Sequence, residues 1–191
     1  MSYRLAVTNK CNWNCHYCVT DIHKQKEILF ENVLKEAQQI PIGSSVSFGN
    51  GEPGMLPRRQ LEELIRVTKE RQCTIHLMTN GLVFKRNLDL VEQFDSVRYH
   101  CVENLTDDIE YPDLDQTKIT YCIVGLTEEI ENGTVLKFMD RYPHITFELA
   151  PDCRRTRKVN LNSLMKFYND HKHRFTSETL QHFIACVAWT H

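Results

Sequence analysis

"YRLAVTNKCNWNCHYC", residues Tyr3 to Cys18, joins two unlike halves. Residues 3–8 are mostly apolar or β-favouring and read as a strand. Residues 11–18 hold three cysteines, with three residues between Cys11 and Cys15 and two between Cys15 and Cys18. The stretch therefore raises two questions: which sheet the strand begins, and what the thiols hold.

The rest of the chain answers the first. Further strands are read at 45–48 (SVSF), 74–79 (TIHLMT), 96–102 (SVRYHCV), 118–124 (KITYCIV) and 145–150 (ITFELA). Phe30, Val33, Leu34 and Ala37 recur at helical spacing ahead of Pro41. Leu61, Leu64 and Ile65 form the stripe of a helix opened by Pro57, Phe84, Leu88 and Val91 that of a third, and Thr134 to Tyr142 is a fourth, stopped by Pro143. The acidic stretch 103–116 reads as a loop with one helical turn, and 160–188 as one or two helices. Six strands with helical crossovers predict a parallel sheet in an α/β fold. Six are too few for the closed eight-stranded barrel. The expected form is an open, partial six-stranded parallel β/α barrel over 1–150, with a short helical C-terminal extension, 151–191, packed on it in the same domain. Function in such sheets collects at the carboxyl ends of the strands. That puts the cysteine loop beside the loop that follows the second strand.

Composition narrows the class. Hydrophobic residues are 41% and charged residues 25% of 191, as in soluble globular chains. A net charge of −2 argues against a polycation that coats nucleic acid. No apolar run reaches bilayer length, and the N-terminus lacks the apolar core of a secretory signal. A cytoplasmic, reducing setting with no membrane partner is expected, where eight cysteines are metal ligands or small buried hydrophobes, not disulfides. Cys73, Cys101 and Cys122 lie in or beside strands and are expected in the core, while Cys153 and Cys186 have no close partner. Charge is uneven: nine acids face one Lys118 between Glu103 and Glu131, and seven Lys or Arg face three acids from Pro151 onward. In "CRRTRK", 153–158, Arg154, Arg155 and Arg157 form either a solvated basic loop or a phosphate grip at the substrate end.

Three readings compete for the cysteines. Three incidental cysteines interleaved with Asn, His and Trp make poor core. Zinc needs a fourth ligand, which His16 or His23 could supply, but a second CxxC or a later His pair is absent. An iron–sulfur cubane takes four thiolates, so three from one loop leave one iron open to a ligand. The loop "FGNGEPG", 48–54, supports the third reading, because three glycines let backbone approach a ligand closely and Glu52 adds a carboxylate.

At these residues the chain resembles the radical S-adenosylmethionine (SAM) superfamily. Its CxxxCxΦC motif, with Φ aromatic, is matched by Cys11, Cys15, Tyr17 and Cys18. Its GGEP-like loop is matched by Asn50-Gly51-Glu52-Pro53, with Asn for the first Gly. A looser strand-five pattern is met by Ile123, Gly125 and Glu128, with Tyr121 where Gly is usual. The resemblance implies one [4Fe–4S] cluster on the three thiolates, SAM bound at the open iron, and reductive cleavage of SAM to a 5′-deoxyadenosyl radical. It also implies site residues. Tyr17 would pack near adenine. Gly49, Asn50 and Gly51, with Glu52 fixing the loop, would meet the SAM amino group. Asn80, His100 and Glu103 are candidates for ribose or carboxylate, and Ile123, Gly125 and Pro151 for the adenine site. Flavodoxin or ferredoxin would supply the electron, to a monomer or a dimer. The substrate classes left open are a nucleotide, nucleoside or nucleic-acid base, which the basic segment favours; a large protein partner activated by a glycyl radical; and a peptide. The CDT ending typical of deazapurine-forming synthases is absent, since Val19-Thr20-Asp21 follow Cys18. A non-enzymatic zinc module is the outside alternative.

Overall fold

A computed structural model describes residues 1–15, 17–18, 27–152 and 160–188. The strands are β1 (Ser2–Ala6), β2 (Ser45–Gly49), β3 (Thr74–Thr79), β4 (Ser96–His100), β5 (Ile119–Gly125) and β6 (Phe147–Pro151). They form a six-stranded sheet in sequence order, open at β1 and β6, and β1–β2, β2–β3, β3–β4 and β5–β6 pair in parallel. The helices are α1 (Phe30–Gln39), α2 (Arg58–Glu70), α3 (Leu82–Val91), α4 (Thr127–Glu131), α5 (Thr134–Asp140), α6 (Leu161–His171) and α7 (Ser177–Ala188). Parallel strands cannot be joined by tight turns, so helical crossovers follow from the pairing. The open parallel α/β sheet is the expected architecture.

The chain divides into two compact units, Met1–His100 with Tyr111–Ile119, and Cys101–Glu110 with Thr120–His191. In the first, alternate strand residues separate two faces. Leu5, Val46, Phe48, Ile75 and Leu77 are fully buried, and Val33 and Ala37 of α1 and Leu61, Leu64 and Ile65 of α2 are buried with them. Phe48 and Phe94 meet edge-on at 5.3 Å between ring centres. The residues between, such as Ser47, His76, Met78 and Arg98, are half-buried.

In the second unit, Ile123, Phe147 and Leu149 are fully buried. A side chain at Gly125 would begin 2.8 Å from Cγ2 of Val135 in α5, so this strand and helix are in close contact. Beyond β6, the Thr176 N–H donates to the Phe147 carbonyl and the Leu149 N–H to the Thr179 hydroxyl, each at 2.9 Å. Buried Glu148 accepts from His182 of α7 at 2.7 Å.

Several boundaries differ from the sequence reading. The first strand ends at Ala6 rather than residue 8, because Thr8 turns its hydroxyl to the Lys10 N–H and begins the loop. The last begins at Phe147 rather than 145, because the Ile145 N–H is spent in a turn on the Tyr142 carbonyl. The stripe of α3 is shifted: Val83, Asn87, Leu90 and Val91 are buried, while Phe84 and Leu88 are half-buried. The first turn of α3 seats against Gly54, whose missing side chain would lie 2.5 Å from the Val83 nitrogen. The five-residue α4 was absent from the sequence reading. Its cap is unusual, with Glu129 accepting from the Leu126 N–H at 2.8 Å. Cys73, Cys101 and Cys122 are buried, as expected.

Candidate metal and cofactor site

The cysteine loop leaves β1 and returns to α1 through a closed neck. The Asn9 side chain accepts from the Ile28 N–H at 3.4 Å, and Lys10 pairs with Glu27 at 2.6 Å. Between these anchors Cys11, Cys15 and Cys18 are half-buried, and the Cys18 N–H donates to the Cys15 carbonyl at 3.0 Å in a tight turn.

The glycine loop is fastened beneath it. Asn50 has φ of +87°, a left-handed backbone that glycine adopts freely and asparagine tolerates best among the other residues. This is the physical reason Asn can stand in the first Gly position. At Gly51 no side chain fits, since a Cβ would collide with the Lys10 carbonyl and lie 2.7 Å from the Thr8 carbonyl. The Glu52 N–H donates to that Lys10 carbonyl at 2.9 Å.

Glu52 is the node. Its side chain is 1% exposed and accepts from the Gly54 N–H at 2.9 Å, the Asn80 N–H at 2.7 Å, and the Thr79 hydroxyl at 2.8 and 2.9 Å. Burial pushes its carboxyl above the ordinary range, and the N–H donors and the hydroxyl pull it part of the way back. Asn80 carries the link onward. Its amide donates to Asn12 at 2.9 Å and to the Cys11 sulfur at 3.6 Å, while its carbonyl accepts from the Leu82 N–H at 3.2 Å and opens α3. The Cys11 sulfur also accepts from the Trp13 N–H at 3.5 Å. Its thiol is raised by burial and by the charges of Glu52 and Cys18, against the Trp13 donor.

Thus Cys11, Gly51, Glu52 and Asn80 are joined by one hydrogen-bonded and packed path. Tyr17 and His100 are half-buried in the same unit. Glu103, Ile123, Gly125 and Pro151 belong to the second unit. There Ile123 is fully buried and Gly125 faces Val135 and Leu149, so these two offer a ligand backbone only. Arg154, Arg155 and Arg157 lie outside the described residues, as do His16, His23 and Cys153. Thr79 was missed by sequence reading. Its position at the end of β3, before the Asn80-Gly81 turn, was the available signal.

The donor set fits a soft metal centre, because thiolates select iron–sulfur and zinc. Among the described residues no three His, Cys, Asp or Glu side chains converge as the ligands of one ion would. A four-iron cluster binds each thiolate at a different iron, so it needs three spaced thiols rather than a convergent set. Two N–H groups on one sulfur also suit a thiolate, whose charge strengthens such bonds.

The model of the Radical SAM superfamily matches residues 5–113, more than half of the chain. A probable GTP 3′,8-cyclase of Methanococcus maripaludis is 31% identical over 120 residues, 58% of this chain and 38% of that protein. A 7,8-dihydro-6-hydroxymethylpterin dimethyltransferase of Methanocaldococcus jannaschii is 32% identical over 92 residues, 42% of this chain and 17% of that protein. The chain thus spans well under half the length of these relatives. Among solved structures, native anSMEcpe with bound AdoMet superposes with a TM-score of 0.57 and 16% identity, over 90% of this chain and 59% of that one, a likeness of fold. With its cysteine loop, its glycine loop and its open parallel sheet all accounted for, the chain belongs to the radical SAM superfamily.

Proposed function

We propose that the chain is the catalytic core of a radical SAM enzyme acting on a nucleotide, nucleoside or nucleic-acid base. Cys11, Cys15 and Cys18 would hold a single [4Fe–4S] cluster, with its open iron turned to SAM. When bound, the cluster supplies the electron that splits SAM into methionine and a 5′-deoxyadenosyl radical able to take hydrogen from an unreactive C–H bond. The protein's part is to bind, orient and exclude side reactions.

The observation that carries the reading is the buried Glu52 carboxylate. It fixes the glycine loop and the end of β3 to each other, and through Asn80 to the Cys11 sulfur. Backbone of Gly49, Asn50 and Gly51, held by this node, is proposed to meet the SAM amino group. Tyr17 and Pro151 are proposed at adenine, with Ile123 and Gly125 contributing backbone, and His100 and Glu103 at ribose or carboxylate. Flavodoxin or ferredoxin is the proposed electron donor. The nucleotide class is supported by the relative named for a GTP reaction.

The test is anaerobic. Protein reconstituted with iron and sulfide is reduced with dithionite, given SAM, and assayed for 5′-deoxyadenosine beside Cys15→Ala. Product from the wild type alone is expected. A colourless, zinc-loaded wild type that forms no product would overturn the reading.

A further inference from the structure

Neighbouring parallel strands need a crossover, and among the described residues β1–β2, β2–β3, β3–β4 and β5–β6 are each joined through an α-helix. The connection from β4 to β5, residues 101–118, is different. It carries a short 3-10 turn, Gln116–Lys118, and no α-helix. A right-handed crossover helix there would lie beside α3, over β4 and the start of β5, on the helix-bearing face. Val97 and Tyr99 mark that face, since both are buried and Tyr99 meets Phe84 of α3 edge-on at 4.9 Å between ring centres.

A cleft occupies this place. Its floor is Val91 of α3 and Val97 of β4, both buried, flanked by half-buried Leu114 and Ile119. Its volume is about 210 Å³, below the roughly 300–1,000 Å³ of small-molecule sites. A space of this size suits apolar side chains presented by another chain better than a substrate or cofactor.

The rim decides which chain. Glu92 and Asp115 stand on it, with Asp113 beside it in the connection, and all three are exposed. Hydrogen bonds from the Thr117 hydroxyl and N–H hold the Asp115 carboxyl below the usual range, so it stays charged. Lys118 does not balance these acids outward. Its ammonium is turned onto the Glu92 and Phe94 carbonyls, at 3.4 and 3.5 Å, just past the C-terminal end of α3.

We infer that this cleft is a docking groove for an amphipathic helix of a partner protein, with an apolar stripe flanked by Lys or Arg. The partner helix takes the place of the crossover helix that β4 and β5 lack. Apolar side chains spaced three and four apart enter the cleft, and the flanking cations face Glu92, Asp113 and Asp115. Val97 is the second residue of β4 and Ile119 the first of β5. The groove therefore lies toward the N-terminal ends of the strands, and a helix bound there leaves the cysteine and glycine loops uncovered.

The probe is a fluorescein-labelled peptide of about 18 residues, long enough to hold a helix on a surface, with Leu along one helical face and Lys elsewhere. It is titrated with the whole chain by fluorescence anisotropy, beside a version with Glu for Lys. Wild type should bind the Lys peptide, less tightly as salt rises, and should ignore the Glu peptide. Leu114→Arg, which puts a cation into the cleft, should weaken binding about tenfold, and Leu114→Ala and Glu92→Lys about threefold each. Glu36→Lys makes the same charge change at an exposed position of α1 and should leave binding as it is. Matching circular dichroism melting curves report an intact fold in every variant. A Lys peptide that wild type does not bind would overturn the inference. So would a loss in Glu36→Lys equal to that in Glu92→Lys, which would mean general attraction between opposite charges. Self-association of wild type that grows with concentration and disappears in Leu114→Arg would assign the groove to a second copy of the chain and overturn it as well.

Discussion

The hydroxyl of Thr79 reaches both carboxylate oxygens of Glu52, at 2.8 and 2.9 Å, across 27 residues of sequence. The Gly81 N–H in turn donates to the same hydroxyl at 2.9 Å, so the end of β3 and the start of α3 share one anchor. In Glu52→Gln, an amide nitrogen accepts nothing, and either the Gly54 or the Asn80 N–H loses its acceptor whichever way the amide is turned. We expect a loss of about 1–3 kcal/mol, measured by denaturant unfolding. An unchanged midpoint would show that the node does not hold the loop.

Asn50 and Gly51 make opposite predictions one residue apart. Asn50→Gly relieves a left-handed strain and should leave stability equal or slightly higher, whereas Asn50→Ala should cost about 1 kcal/mol. Gly51→Ala drives a methyl into backbone carbonyls at Thr8 and Lys10 and should cost about 1–3 kcal/mol, with iron content falling after reconstitution. Thermal unfolding and iron analysis of the three variants check this.

Asn80 presents an N–H to the Cys11 sulfur. Donors to cluster sulfurs favour the reduced, more negative state. Asn80→Ala should therefore move the reduction potential of the reconstituted protein to more negative values. The readout is a redox titration followed by electron paramagnetic resonance. A potential that stays put, or rises, would remove Asn80 from this role.

The described cysteines divide by reactivity. Burial pushes the Cys101 thiol up to about 12, so near pH 8 almost none is thiolate, the reactive form. Peptide mapping after brief iodoacetamide treatment of the metal-free protein should find label on Cys15 and Cys18, less on Cys11, whose thiol burial raises, and none on the buried Cys73, Cys101 or Cys122. Denaturant should open the buried three.

Most of the architecture was visible in local pattern. TIHLMT reads as a strand because Ile75 and Leu77 are apolar and fully buried on one face, and β3 has those same bounds. The three thiols and the Gly51-Glu52-Pro53 run were visible because their chemistry is concentrated in sequence. The role of Thr79 was not, since it depends on two strand ends meeting. In the stripe of α3 Val91 is buried as expected, but Val83 and Asn87 are buried in place of Phe84 and Leu88, because the seat of its first turn on Gly54 is a tertiary contact.

A sheet that does not close leaves a strand at each end with bare hydrogen-bonding groups, a template on which another chain can build. At β6 that template is occupied from within. Phe175 to Thr179 lie along the strand, taking the Phe147 carbonyl and the Leu149 N–H. The C-terminal helices are thus a guard on a sticky border as well as a covering for the core. A chain cut before Phe175 would offer β6 to its neighbours and should associate strand to strand, forming oligomers that grow with concentration.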